Sequence, residues 1–224
     1  EIDRKIAVIF VADVVGYSKH MEKNEDVTLA NYSECEKIFK SLFKKYQGSI
    51  FNTAGDSVLV EFDSAVNALT CAVDFQNKIK HRNLTIESDI KLQFRLGINM
   101  GDVIKKEGNL LGDGVNIAAR LEALAQPGGI SISKSVYDFV VPKTELSFND
   151  LGIQKVKQNE FHAYDVLLDK SHKRSVKTKQ KSIPSIILSL PIGLIILVLG
   201  YFFLFNDKDS RSINVSEEIS SKPK

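Results

Sequence analysis

Residues 6–12, Ile-Ala-Val-Ile-Phe-Val-Ala, are an unbroken apolar run between Lys5 and Asp13. A run this short and continuous predicts a central strand covered on both faces. Further on, Tyr32, Cys35, Phe39, Leu42 and Tyr46 recur at alternating spacings of three and four. That period predicts an amphipathic helix over about residues 25–47, closed by Gly48. Two β-rich segments, Ser49–Thr53 and Val58–Phe62, flank Ala54-Gly55-Asp56-Ser57 and predict a hairpin turning at Gly-Asp. Ser64 is placed to cap a second helix that turns Ala65, Ala68, Leu69, Ala72 and Ile79 inward. Leu92, Phe94, Leu96, Ile98 and Met100 alternate strictly, the pattern of a strand with one buried face. A glycine-rich turn at Gly112 then opens a helix on which Ile117, Leu121 and Leu124 form a buried stripe. Strands, hairpins and helices in this order predict an α+β sandwich.

The pattern changes after residue 169. Lys170, Lys173, Arg174, Lys177, Lys179 and Lys181 follow one another with no acidic residue between them. The whole chain of 224 residues has 30 basic and 28 acidic side chains; setting those six aside leaves 24 basic against 28 acidic. The globular part is therefore mildly acidic, which argues against a nucleic-acid partner. Ile183 to Phe205 contains no charged residue. As a helix it would extend about 35 Å, enough to cross a bilayer with some tilt. Pro184, Pro191, Gly193 and Gly200 interrupt it, as membrane helices tolerate, and Tyr201, Phe202, Phe203 and Phe205 gather at its far end. Its place near the C-terminus excludes a secretory signal. The expected organisation is a globular domain over 1–169, a basic juxtamembrane linker over 170–182, a transmembrane helix over 183–205 and a polar tail over 206–224. The basic run puts the domain on the cytoplasmic side of the cell membrane by the positive-inside bias, with a single pass. The chain opens on Glu1 rather than Met, as an excerpt of a longer protein would. Cys35 and Cys71 fall on apolar helix stripes and read as reduced core residues. His20, His81, His162 and His172 show no metal-ligand spacing.

Candidate chemistry rests on four side chains. Asn116 and Arg120 are four residues apart on one helix, beside the expected apolar stripe. An amide and a guanidinium so aligned could hold a polar ligand and neutralise a phosphate. Asp13 ends the first strand, and Asp56 sits in the hairpin turn. Each also has a local role open to it, Asp13 as a helix cap and Asp56 as a turn former. Carboxylates at strand ends are equally what Mg²⁺ needs, since it prefers oxygen ligands shared with substrate phosphates.

The segments Ala12-Asp13-Val14-Val15-Gly16-Tyr17-Ser18, Gly55-Asp56-Ser57, Arg95–Val103, Gly112–Glu122 and Ala125–Ile130 together resemble the class III adenylate and guanylate cyclase catalytic domains, in order, over about residues 4–168. The resemblance implies a ferredoxin-like α+β core that works as a homodimer, with two active sites shared between chains. It implies that ATP is converted to 3′,5′-cyclic AMP and pyrophosphate with two Mg²⁺ (or Mn²⁺) ions per site. Asp13, Asp56 and the Val14 carbonyl would hold the metals. Asn116 would position the ribose, Arg120 would stabilise the reacting phosphate, and Lys157 would contact the phosphates. Backbone N–H groups from Val15 through Gly16, Tyr17 and Ser18 would cradle the terminal phosphates.

The base-reading positions depart from the family pattern. Typical adenylate cyclases carry Lys four residues before the second metal Asp, and Asp seven residues before the ribose Asn. Guanylate cyclases carry Glu and Cys there. This chain has Asn52 and Asn109. Each amide offers a donor and an acceptor, so GTP is admitted beside ATP. The rest of the likeness is to bacterial adenylate cyclases, which favours ATP. A guanylate or dual-specificity cyclase, or a catalytically weak regulatory module of the same fold, is the alternative. A diguanylate cyclase is disfavoured because no Gly-Gly-Asp/Glu-Glu-Phe signature occurs.

Overall fold

The structure, a computed structural model, describes residues 3–156 and 159–168. These belong to the first of two compact units, Glu1–Val176; the second, Lys177–Lys224, lies outside the described residues. The expected basic linker, membrane span and tail therefore fall outside them, as does Lys157. Among the described residues no helix is long and apolar enough to cross a membrane.

The chain runs through strand β1 (Asp3–Val14), helices α1 (Tyr17–Lys23) and α2 (Glu25–Tyr46), and the hairpin β2 (Ser49–Ala54) and β3 (Ser57–Phe62). Helix α3 (Ala65–Thr85), strands β4 (Phe94–Lys106) and β5 (Asn109–Leu111), and helix α4 (Asp113–Leu124) follow. Strand β6 (Ile130–Ser133), helix α5 (Lys134–Val140) and the hairpin β7 (Ser147–Val156) and β8 (Asn159–Leu167) complete it. The strands form one sheet in the order β2-β3-β1-β4-β6-β8-β7, with β5 paired to β4. Among the described residues only β4–β6 is parallel. The mixed α+β architecture is the one expected.

Strand β1 explains its own apolar run. Val8, Phe10, Ala12 and Val14 point into the larger core with α2, α3 and α5. Ala7, Ile9 and Val11 point the other way, where Ala118 of α4 covers them. The alternation along a strand turns consecutive residues to opposite faces, so a fully apolar strand needs a layer on each side. On the larger face Phe10, Phe39, Phe43, Phe62, Phe75 and Phe94 interlock edge-on or tilted, with centroids 5.0–6.2 Å apart.

Three local expectations change. Strand β4 is covered on both faces, not one: Gly97 and Asn99 are buried along with Leu96 and Ile98, because α4 lies over the second face. Helix α2 ends with Gln47, not Gly48, in the left-handed conformation (φ 62°). Gly48 serves instead as space, since a Cβ there would sit 2.5 Å from the Phe62 ring. On α4 the innermost side chains are Ala118, Leu121 and Glu122, while Ile117 and Leu124 are only half-buried.

The seat of α4 matters most for function. A Cβ at Gly97 would approach the Glu122 nitrogen to 2.2 Å and the Ala118 carbonyl oxygen to 2.3 Å. The helix thus rests directly on the backbone of β4, and no side chain can intervene. The buried Asn99 amide donates to the Gly114 carbonyl at 2.9 Å and fixes the start of the helix.

Candidate active site

Antiparallel pairing of β1 with β3 sets Ala12 opposite Val58 and carries Asp13 to the β2–β3 turn. That turn is Gly55-Asp56, with Gly55 left-handed at φ 62° and hence a position that favours glycine. Two carboxylates are thereby fixed side by side at one end of the sheet. Asp56 Oδ2 accepts the Val14 backbone N–H at 3.3 Å. Burial pushes the Asp56 carboxyl above its ordinary range, and the neighbouring Asp13 pushes it further. The Val14 N–H acts weakly in the opposite sense. A pair of like charges in this state is a receptor for a cation.

Asp13 is held at both oxygens. Oδ1 accepts a short hydrogen bond from the Ser57 hydroxyl. Oδ2 accepts Arg95 Nη2–H at 3.1 Å. Arg95 Nε lies 2.8 Å from Glu122 Oε1, an ionic contact without good hydrogen-bond direction. Glu122 is the surprise of the site. Its side chain is only 10% exposed, and burial, opposed by Arg95 and reinforced by Asp13, pushes its carboxyl up to about 7.

The remaining expected residues fall in three places. Gly16 is left-handed (φ 66°) and opens α1, followed by Tyr17 and Ser18. The first N–H groups of a helix lack intrahelical partners, but Val15 N–H is already bonded to the Gln93 carbonyl at 2.8 Å. Val15 is therefore not free to cradle a phosphate as expected. Tyr17 packs edge-on to Tyr32, 5.7 Å between centroids, and its hydroxyl pKa is raised by burial and by Asp56. Asn116 is exposed and Arg120 half-buried on α4; Arg120 Nη1 is enclosed with no hydrogen-bond partner among the described residues. No hydrogen bond or ion pair among the described residues joins Asn116 or Arg120 to Asp13 or Asp56.

Asn52 is half-buried on β2, beside a register shift between Ile50 and Asn52. Asn109 opens β5, and its Oδ1 accepts the Leu110 backbone N–H at 2.9 Å. Only the amide oxygen can accept that hydrogen, so the amide's orientation is set and its NH₂ group stands as a donor. The freedom expected of this amide is accordingly reduced.

A divalent metal suits this donor set. Asp13, Asp56 and the Val14 carbonyl are hard oxygen donors, and the Asp13 charge beside Asp56 favours a cation there. Among the described residues no group of three or more His, Cys, Asp or Glu side chains forms a closed metal cage. An open set is what Mg²⁺ shared with substrate phosphates requires.

Period and spacing give Arg95 and Glu122 no role. One signal was available: Glu122 stands four residues after Ala118, on the face of α4 that meets the sheet. A carboxylate there needs a buried cationic partner.

Comparison with known proteins matches residues 2–168 to the adenylate and guanylate cyclase catalytic domain. A Rhizobium meliloti (strain 1021) protein named "Putative adenylate cyclase 3" is 42% identical over 163 residues, 71% of this chain and 27% of that protein. The chain thus spans about a quarter of that relative's length. A crystal structure of an adenylate/guanylate cyclase/hydrolase from Silicibacter pomeroyi is 35% identical with a TM-score of 0.68, covering 74% of this chain and 98% of that one. The adenylyl cyclase CyaB from P. aeruginosa has the same fold, with a TM-score of 0.64 at 24% identity, covering 79% and 98% of the two chains.

The raised Glu122 pKa gives a pH dependence of stability. The folded state binds the Glu122 proton up to about pH 7, whereas an unfolded Glu releases it near its ordinary value. Folding stability contributed by this group is therefore present at low pH and lost as pH rises towards 7. Asp56 acts in the same direction. Thermal melting from pH 5 to 8 should show a downward slope that is shallower in Glu122→Gln; equal slopes would reject the assignment. By its sequence, fold and carboxylate pair, this chain belongs to the class III adenylate and guanylate cyclase catalytic domain family.

Proposed function

We propose that the chain is an adenylate cyclase, converting ATP to 3′,5′-cyclic AMP and pyrophosphate for second-messenger signalling. The reading is carried by the Asp13–Asp56 pair, two like charges fixed together at the sheet end beside the start of α1. Two Mg²⁺ or Mn²⁺ ions, when bound, would lower the pKa of the ribose 3′-hydroxyl and steady the leaving pyrophosphate. Asp13, Asp56 and the Val14 carbonyl would hold them. In the reaction the 3′-oxygen attacks the α-phosphorus, the bond to the β-phosphate breaks, and the hydroxyl proton passes to solvent. Arg120 would neutralise charge growing on the α-phosphoryl oxygens, while Asn116 orients the ribose. Lys157 and the backbone of Gly16, Tyr17 and Ser18 would receive the terminal phosphates.

Two chains would share each site. Asn116 and Arg120 contact neither carboxylate of their own chain, as expected if they serve a partner. The uncharged run Ile183–Phe205 behind six basic residues supports a single-pass anchor in the cell membrane, with the domain cytoplasmic. Anchoring would confine two copies to one plane and raise their effective concentration.

A specific observation favours GTP as a second substrate. Asn109 offers its NH₂ group, and a donor at this position suits the guanine 6-oxygen better than the adenine 6-amino group. The relatives named adenylate cyclase support ATP.

Two measurements test these readings. Mixing Asp56→Ala with Arg120→Ala chains should restore about a quarter of wild-type activity, since random pairing leaves one intact site in half of the dimers. No recovery despite proven mixed dimers would reject the shared site. For the base, Asn109→Asp should raise the ratio of kcat/KM for ATP over GTP by about tenfold or more. An unchanged ratio would remove Asn109 from base recognition.

A further inference from the structure

We propose that Glu122 is a positioning residue for metal capture, holding the Arg95 guanidinium so that Asp13 can exchange it for a divalent cation. The inference rests on the metal-binding reading of Asp13 and Asp56.

Arg95 touches two carboxylates through different nitrogens, Asp13 at 3.1 Å and Glu122 at 2.8 Å. Its side chain is 29% exposed, so a guanidinium stripped of all counter-charge here would be costly. A cation that binds Asp13 through Oδ2 competes with Arg95 for that oxygen, while Oδ1 already accepts from Ser57. Glu122 keeps a negative charge on Arg95 when that happens. Its own place is fixed: α4 rests on the β4 backbone at Gly97, and Asn99 ties down the helix start. Arg95 and Glu122 therefore form a counter-ion store whose charge balances internally, leaving both aspartates for the metal.

The sign of the effect follows. With the Glu122 charge removed, Asp13 becomes the ionic partner left to Arg95 in this network. The guanidinium then competes harder with the metal, and the surroundings of the aspartates become more positive by one charge. Both changes weaken cation binding. Removing Arg95 as well takes away the competitor and should reverse the loss. A residue that merely supported the fold would not be rescued by a second deletion beside it.

The test is Mn²⁺ binding to the full chain without nucleotide, followed by electron paramagnetic resonance of the free ion. At pH 8 the Glu122 carboxyl, with its pKa of about 7, is ionised. Glu122→Gln should weaken Mn²⁺ binding on the order of tenfold, the scale of one unit charge lost in partly screened surroundings. Glu122→Asp keeps the charge but withdraws it by one methylene, and should weaken binding by about two- to threefold. The double variant Glu122→Gln with Arg95→Gln should bind at least as tightly as wild type. Circular dichroism checks that each variant is folded, and Glu122→Asp decides the matter should the Gln variant fail to fold. Unchanged or tighter binding in the folded single variants, or no recovery in a folded double variant, overturns the role of Glu122. Wild type that binds no Mn²⁺, or Asp13→Ala that binds it equally well, overturns the metal reading instead.

Discussion

Two carboxylates that repel each other are held at one end of the sheet by backbone hydrogen bonds they cannot escape. The β1–β3 register brings Asp13 to the hairpin turn, and Gly55 shapes that turn around Asp56. The backbone at the two positions cannot move apart without breaking the pairing that builds the core. The repulsion is met instead by imported positive charge. Arg95 supplies it from β4, and the buried Glu122 supplies the balancing charge from α4. The site is thus a small electrostatic network spread over β1, the β2–β3 turn, β4 and α4, and its poise depends on how closely these pack.

The close seat of α4 sets this packing. A bare glycine backbone at position 97 lets the helix lie on the strand, which brings Glu122 within ionic contact of Arg95. The same seating settles which side chains face outward. Asn116 is exposed and Arg120 half-buried, and neither meets the aspartates of its own chain. One helix therefore presents two surfaces: its inner face places Glu122 beside Arg95, and its outer residues include Asn116 and Arg120. The matched structures share this fold, and under the proposed function the arrangement leaves Asn116 and Arg120 to serve a partner chain.

Local patterns in the sequence reported local facts well. The apolar run of β1, the Ser64 cap and the inward face of α3 correspond to the residues that meet there. The Gly-Asp turn was legible because glycine flanked by β-rich runs has few alternatives. The strand β4 misled by its alternation: Gly97 and Asn99 look like solvent-side positions until α4 is laid over them. Arg95 and Glu122 were hidden for the same reason, since their contact arises only when a helix and a strand distant in sequence are pressed together. The amide of Asn109 seemed free to flip until its neighbour's N–H fixed the oxygen. Non-local packing, which period and spacing do not encode, decided β4, Arg95 and Glu122, whereas Asn109 was settled by a hydrogen bond from the next residue.

The central claim is that Asp13 and Asp56 hold the cations on which nucleotide cyclisation depends. Separating the products formed from ATP and from GTP, with Mg²⁺ or Mn²⁺ present, tests it most directly. Wild-type chain should yield a 3′,5′-cyclic nucleotide and pyrophosphate in equal amounts, and folded Asp13→Asn or Asp56→Asn chains should lose at least about a hundredfold in rate. Undiminished cyclisation in either folded variant, or a wild-type chain that forms no cyclic nucleotide from either substrate, would contradict the account.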